Sequence, residues 1–180
     1  TRKSVMAFNM TMFVFGLPRI IGRAEDIQWM LDAVPNKHNG LTFCAGSFSA
    51  GEHNDCVAMA KQFADRTHFV HLRSCYIFPN GNFTEASHLG GRGHLIELCR
   101  IFEKAEQEGK CNSGRRLPMR VDHGMTFTDE PGGVFDESNH GHNAGYTLLG
   151  RMFAMGQIQG VIATVDDELG IEYKQPGFYD

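Results

Sequence analysis

Apolar residues follow two alternating rhythms along this chain, short continuous runs and longer stretches at helical spacing, which predict strands and helices in turn. Lys3 to Phe8 is a short apolar run that reads as a strand. After a loop through Gly16-Leu17-Pro18, the stretch Ala24 to Val34 carries Ile27, Met30, Leu31 and Val34 on one helical face behind an acidic first turn. Asn39-Gly40 punctuates, and Leu41 to Ala45 reads as a buried strand. A helix is predicted from Asp55 to Ala64 with Asn54 as its N-cap, burying Val57, Ala60 and Phe63 or their neighbours. His68 to Leu72 is the next strand. Gly93 to Glu108 is an amphipathic helix with Leu95, Leu98, Ile101 and Phe102 on one face. Leu117 to Val121 is a further strand, and Ala144 to Val165 is helical for much of its length.

Strand–helix units in succession imply parallel strands joined by right-handed crossovers, in either a doubly wound sheet or part of an eight-stranded barrel. A complete barrel takes about 250 residues, so the four units read here in 180 residues correspond to half of one. The expected architecture is therefore α/β: an incomplete (β/α)8 barrel over residues 1–165, followed by a polar tail over 166–180 containing Pro176-Gly177. The chain opens on Thr1 and not on Met, which adds to the expectation of a fragment or processed product.

A hydrophobic fraction of 42% and a charged fraction of 21% are ordinary for a globular protein. The net charge of −4 and isoelectric point near 6.1 give no sign of a nucleic-acid partner. No run of 18 or more apolar residues stands out, so no membrane span is expected. Thr1-Arg2-Lys3-Ser4 lacks the apolar core of a signal peptide. Five cysteines without a CxxC spacing argue for a reducing, cytoplasmic setting. Nine histidines are many, and histidine is the commonest transition-metal ligand.

Three polar residues stand where apolar strands give way to loops: Cys44 before Ala45-Gly46-Ser47, His71 before Leu72-Arg73-Ser74, and Asp122 before His123-Gly124. In barrels these strand ends gather metal-binding and catalytic side chains. Each has a plainer reading: Cys44 as a small buried hydrophobe and His71 as a hydrogen-bonded core residue. Asp122 is the strongest local signal, since no helix follows immediately for it to cap. One thiolate, one imidazole and one carboxylate together suit a borderline divalent metal better than Mg²⁺ or Ca²⁺, and a three-ligand shell is catalytic in character. His38, His53, His68 and His94 read as surface or packing residues, while His140 and His142 lie in a Gly/Asn-rich loop that is either a lid, a metal scavenger or merely solvated.

These segments together resemble the bacterial mannonate dehydratase family. The resemblance rests on Phe15-Gly16-Leu17-Pro18-Arg19-Ile20, Asn39 through Ser47, His71-Leu72-Arg73-Ser74, Glu85-Ala86-Ser87-His88-Leu89, Arg120 through Gly124, and Gly145-Tyr146 through Gly150-Arg151. It implies a barrel similar to xylose isomerase, an Fe²⁺ or Mn²⁺ cofactor, and dehydration of D-mannonate to 2-dehydro-3-deoxy-D-gluconate in hexuronate degradation. By the same resemblance Cys44, His71 and Asp122 are metal ligands, His123 and Tyr146 the acid–base pair in an order left open, and Arg73 and His88 substrate contacts. A homo-oligomer is implied for the full-length protein.

One stretch departs from the family pattern. Where the family carries a further ligand histidine within His-Pro-Asp-Asp-Pro-Pro, this chain has Met6 to Phe15, with Met6 at the ligand position. A thioether is a poor ligand for Mn²⁺ or Fe²⁺; the abrupt change, with family sequence resuming at Phe15, leads to the expectation of a disrupted reading frame, and the missing strands and ligand to that of little activity of these 180 residues alone. The competing readings are a metal-dependent sugar isomerase or epimerase on the same barrel, an inactive fragment, and a half-barrel that assembles with a separately encoded partner. A serine or cysteine hydrolase finds no nucleophile elbow here.

Overall fold

The computed structural model describes residues 20–114, 116–127 and 146–172, with the backbone alone at 13–14, 17–18 and 113. The expected strand Lys3 to Phe8, Met6, His140 and His142 lie outside the described residues.

The elements run β1 (Phe13–Val14), β2 (Leu17–Pro18), α1 (Ala24–Ala33), β3 (Leu41–Cys44), α2 (Ala45–Ser49), α3 (Cys56–Phe63), β4 (Thr67–His71), β5 (Cys75–Ile77), β6 (Phe83–Glu85), α4 (Leu95–Gln107), β7 (Met119–Arg120) and α5 (Leu148–Leu169). The alternation expected from the sequence is present: β3, β4 and β7 form a parallel sheet in that order, with α3 and α4 in the crossovers between them. The register sets Cys44 opposite His71, and His71 opposite Arg120.

A carboxylate fixes the start of two helices, α1 and α3. Asp26 Oδ2 accepts from the backbone N–H groups of Gly22 and Arg23, both at 2.9 Å, fixing the entry to α1. At α3 the cap is Asp55 and not Asn54: its Oδ1 accepts from Val57 N at 2.9 Å and Ala58 N at 3.0 Å. Asn54 instead holds the preceding loop through Gly22 and Phe48 carbonyls. The helix thus begins one residue later than expected and buries Cys56, Met59, Ala60 and Phe63.

The core lies between the sheet and these helices. Phe43 on β3 stacks against Phe48 at 4.9 Å and Phe102 of α4 at 5.2 Å between ring centroids, an aromatic cluster with tilted and edge geometries. Leu95, Leu98, Cys99 and Phe102 form the buried stripe of α4, with Ile101 at its margin. His68 sits at the far end of β4 from His71, its ring nitrogens near Asn112 Oδ1 at 3.2 Å and the Lys37 carbonyl at 3.0 Å, so it is a packing residue as expected.

Two features were not anticipated. β5 and β6 pair antiparallel across a turn in which Gly81 has φ +82°, a hairpin inserted between β4 and α4. Helix α5 begins at Leu148, later than expected, and continues to Leu169, past the expected boundary at 165. It is long and apolar enough to cross a membrane by length and composition alone. In this fold Ala154, Ile158 and Val165 are packed into the core, and Arg100 of α4 binds Glu168 at 2.8 Å.

At the α4–α5 seam Glu103 is half-buried near Asp166 of α5, Glu106 of its own helix and Arg116. Burial foremost, then Asp166 and Glu106, push its carboxyl up to about 7, with Arg116 acting the other way. A carboxyl whose folded value exceeds its unfolded one stabilises the fold when protonated, and that contribution disappears as pH rises through the folded value. Thermal melts should therefore give a higher Tm at pH 6 than at pH 8, and Glu103→Gln should make this pH slope shallower. An unchanged slope in the variant would show that Glu103 ionises without cost.

Candidate active site

The parallel register brings three potential metal donors together. Cys44 ends β3, His71 ends β4, and Asp122 follows β7 by two residues. The Cys44 thiol, a His71 ring nitrogen and an Asp122 carboxylate oxygen all lie within 4.8 Å of one another. Two donors on one ion at bond lengths near 2.0–2.3 Å stand at most roughly 4.5 Å apart, so the cluster, within 4.8 Å, is close to the span of a single coordination sphere. Cys44 and Asp122 are buried and His71 is half-buried, which leaves approach from the imidazole side.

The environment of each group is specific. Burial pushes the Cys44 thiol above its ordinary value, and Ser47 Oγ, donating to Sγ at 3.2 Å, pulls the other way. Burial also holds the His71 imidazole below its ordinary value, against the attraction of Asp122, so it is neutral near pH 7 and has a lone pair to offer. His71 Nδ1 lies 3.8 Å from Asp122 Oδ2, and Arg120 Nη2 donates to Asp122 Oδ1 at 3.1 Å.

Asp122 has φ +52°, the left-handed region, where a residue with a Cβ is strained. The turn around it is pinned from two directions. His88, 2% exposed, donates from Nε2 to the Val121 carbonyl at 3.0 Å. On the other side Gly124 and Gly150 meet: a Cβ on Gly124 would fall 2.3 Å from the Gly150 oxygen, and one on Gly150 would fall 2.0 Å from the Met125 oxygen. Only glycine permits that approach.

Beside the donor cluster sit the other residues singled out in the sequence. The rings of His123 and Tyr146 are 4.1 Å apart. His123 Nε2 lies 3.5 Å from Asp122 Oδ2, and its Nδ1 lies 3.9 Å from Glu85 Oε1. Tyr146 is partly exposed, and burial first, with Asp122 next, raises its phenol above the ordinary value. Arg73, 8% exposed, donates from Nε to both oxygens of Glu85 at 3.1 and 2.9 Å, and from Nη2 to Oε1 as well. Arg73 and Tyr146 thus share the neighbourhood of the donors, whereas His88 stands behind the turn and reaches it through Val121. The sequence reading gave no role to Glu85, Ser47 or Arg120. Glu85 was within reach of it, because it opens the Glu85-Ala86-Ser87-His88 segment.

An expected outcome follows from the glycine pair. Gly124→Ala forces α5 and the turn apart, at a cost of about 1–3 kcal/mol for an overpacked contact. Thermal denaturation should show the loss, and Gly156→Ala, where a Cβ meets nothing within 4 Å, should not.

A family model described as D-mannonate dehydratase (UxuA) matches residues 9–171. Mannonate dehydratase 2 of Agrobacterium fabrum (strain C58) is 39% identical over 158 residues, covering 87% of this chain and 38% of its own length. The mannonate dehydratase of Saccharophagus degradans is 39% identical over 155 residues, 85% of this chain and 38% of its own. The crystal structure of mannonate dehydratase from Streptococcus suis serotype 2 is similar in fold, with a TM-score of 0.71 at 23% identity over 93% of this chain and 45% of that one. The chain therefore spans about 38% of the length of the curated relatives it matches.

Proposed function

This chain belongs to the D-mannonate dehydratase family, and from that premise we propose that it carries the metal-binding and acid–base half of a sugar-acid hydro-lyase acting on D-mannonate. The single observation that carries the reading is the meeting of Cys44, His71 and Asp122 beside the His123–Tyr146 pair. In this reading the strands are the C-terminal four of a (β/α)8 barrel, the first of them falling outside the described residues. The chain works in the cytoplasm, where its five free, buried cysteines stay reduced.

The donor set fits Fe²⁺ or Mn²⁺. A thiol, an imidazole held neutral and a carboxylate within 4.8 Å of one another offer three protein ligands with open positions, the composition of a catalytic site. Cys44, His71 and Asp122 would hold the ion, which when bound supplies Lewis-acid polarisation of the carboxylate and hydroxyl oxygens of the substrate. The rest falls to the side chains. Dehydration removes the proton on C2, breaks the C3–O bond and leaves an enol that becomes the 2-keto product. His123, whose imidazole can accept a proton on a ring nitrogen, takes the C2 proton. Tyr146, whose raised phenol keeps its proton at neutral pH, gives one to the departing hydroxyl so that it leaves as water. The rings stand 4.1 Å apart, close enough to serve adjacent carbons of one substrate. Arg73 takes the substrate carboxylate, and His88 holds the turn that presents Asp122 and His123.

The test is a titration followed by a ligand measurement. The purified chain should take up one Mn²⁺ or Fe²⁺, and Asp122→Asn and Cys44→Ala should each weaken that uptake by about ten- to a hundredfold or more. D-mannonate should then bind more tightly to the metal-loaded chain than to the metal-free one, and any 2-dehydro-3-deoxy-D-gluconate formed should vanish in Tyr146→Phe. Equal D-mannonate affinity with and without metal would overturn the reading.

A further inference from the structure

A guanidinium has two edges that can each grip a carboxylate with a pair of N–H groups: the side edge, Nε with one Nη, and the end edge, the two Nη together. Arg73 spends its side edge on Glu85, through Nε and Nη2. Nη1 takes no part in that grip. The arginine stem is fixed as well, because it lies directly on Gly46, where a Cβ would fall 2.4 Å from both Cγ and Cδ. Phe83 stands 6.0 Å from the guanidinium carbon. With stem, side edge and flank all held, the end edge is what Arg73 presents to its surroundings.

We propose that Glu85 is a positioning residue for carboxylate recognition: by occupying the side edge of Arg73 it aims the end edge at the carboxylate of the sugar acid. This rests on the proposed dehydratase reading, since it takes that site's substrate to be an acid. Glu85 also keeps Arg73 from collapsing onto the donor cluster. Cys44 lies near enough for the Arg73 charge to act on it, and an arginine drawn onto that sulfur would block the position of the metal. A carboxylate at position 85 resolves this by satisfying half of the donor set and only half. A lysine at 73 could not be divided in that way, because an ammonium is a point charge with no separate edges.

The test uses the full 180-residue chain with Mn²⁺ and then D-mannonate as probes, measured by calorimetry. Glu85→Gln should lower D-mannonate affinity by about tenfold or more, the loss expected when one fixed charge-assisted contact is misaimed. Mn²⁺ affinity should stay within about twofold. Glu85→Asp, which keeps the charge, should recover part of the acid affinity and stands in for the glutamine variant should that one fail to fold. Unchanged D-mannonate affinity in Glu85→Gln would overturn the proposal while leaving the dehydratase reading in place. So would acid and metal affinities falling together, the mark of a general structural role, or an aspartate variant no better than the glutamine one. If the parent chain binds Mn²⁺ but no D-mannonate, the dehydratase reading fails and this inference falls with it.

Discussion

The register of the parallel sheet is the constraint on which everything else here depends. Pairing of Cys44 with His71 and of His71 with Arg120 fixes three strand ends at one level. A slip by one residue turns every side chain to the opposite face, and would send Phe43 toward the site and Cys44 into the core. Phe43 prevents this. Its ring is locked between Phe48 and Phe102, so the aromatic core and the donor cluster are two sides of one alternation. The hydrophobic effect chooses the register, and the chemistry inherits it.

The site is charged and largely enclosed, and that is costly unless each charge is answered. Arg73 and Glu85 answer each other through a bidentate contact, and Arg120 answers Asp122. Removing one partner from a buried pair leaves an uncompensated charge, which typically costs 3–5 kcal/mol. Such a network is an expensive way to gain stability, because well-packed apolar residues would serve as well or better. Its presence among the strand ends is more readily understood through the orientations it enforces. Guanidinium planes and imidazole rings must be aimed, and apolar packing alone cannot aim a hydrogen-bond donor.

The sequence made some of this legible and hid the rest for physical reasons. Runs such as Leu41–Cys44 and Thr67–His71 are largely apolar because both faces of a helix-covered parallel sheet are buried, and their polar ends mark where the strands give way to loops. The α4 stripe was equally plain. The hairpin of β5 and β6 was missed although Asn80-Gly81, a strong turn signal, sits between its strands; the strands have three residues each, too short to show an alternation. The shift of the α3 cap from Asn54 to Asp55 reflects two adjacent residues of nearly equal capping strength, between which only the loop contacts of Asn54 decide. The Arg73–Glu85 pair could not be read from spacing, since it joins the loop after β4 to the end of β6 and depends on the hairpin between them.

Strain at Asp122 ties these levels together. A non-glycine residue at φ +52° costs on the order of 1 kcal/mol or more, and such strain persists only when its surroundings over-determine it. Here they do: His88 fixes the carbonyl before Asp122, Arg120 fixes its carboxylate, and the Gly124–Gly150 contact fixes the backbone after it. A relaxed extended backbone at Asp122 would continue the direction of β7 and carry the carboxylate away from His71. The left-handed kink turns it back toward the imidazole and sets His123 beside Tyr146 in the same movement. One backbone torsion therefore places a candidate ligand and a candidate acid–base group together, and the two glycines and one buried histidine behind it are present to hold that torsion.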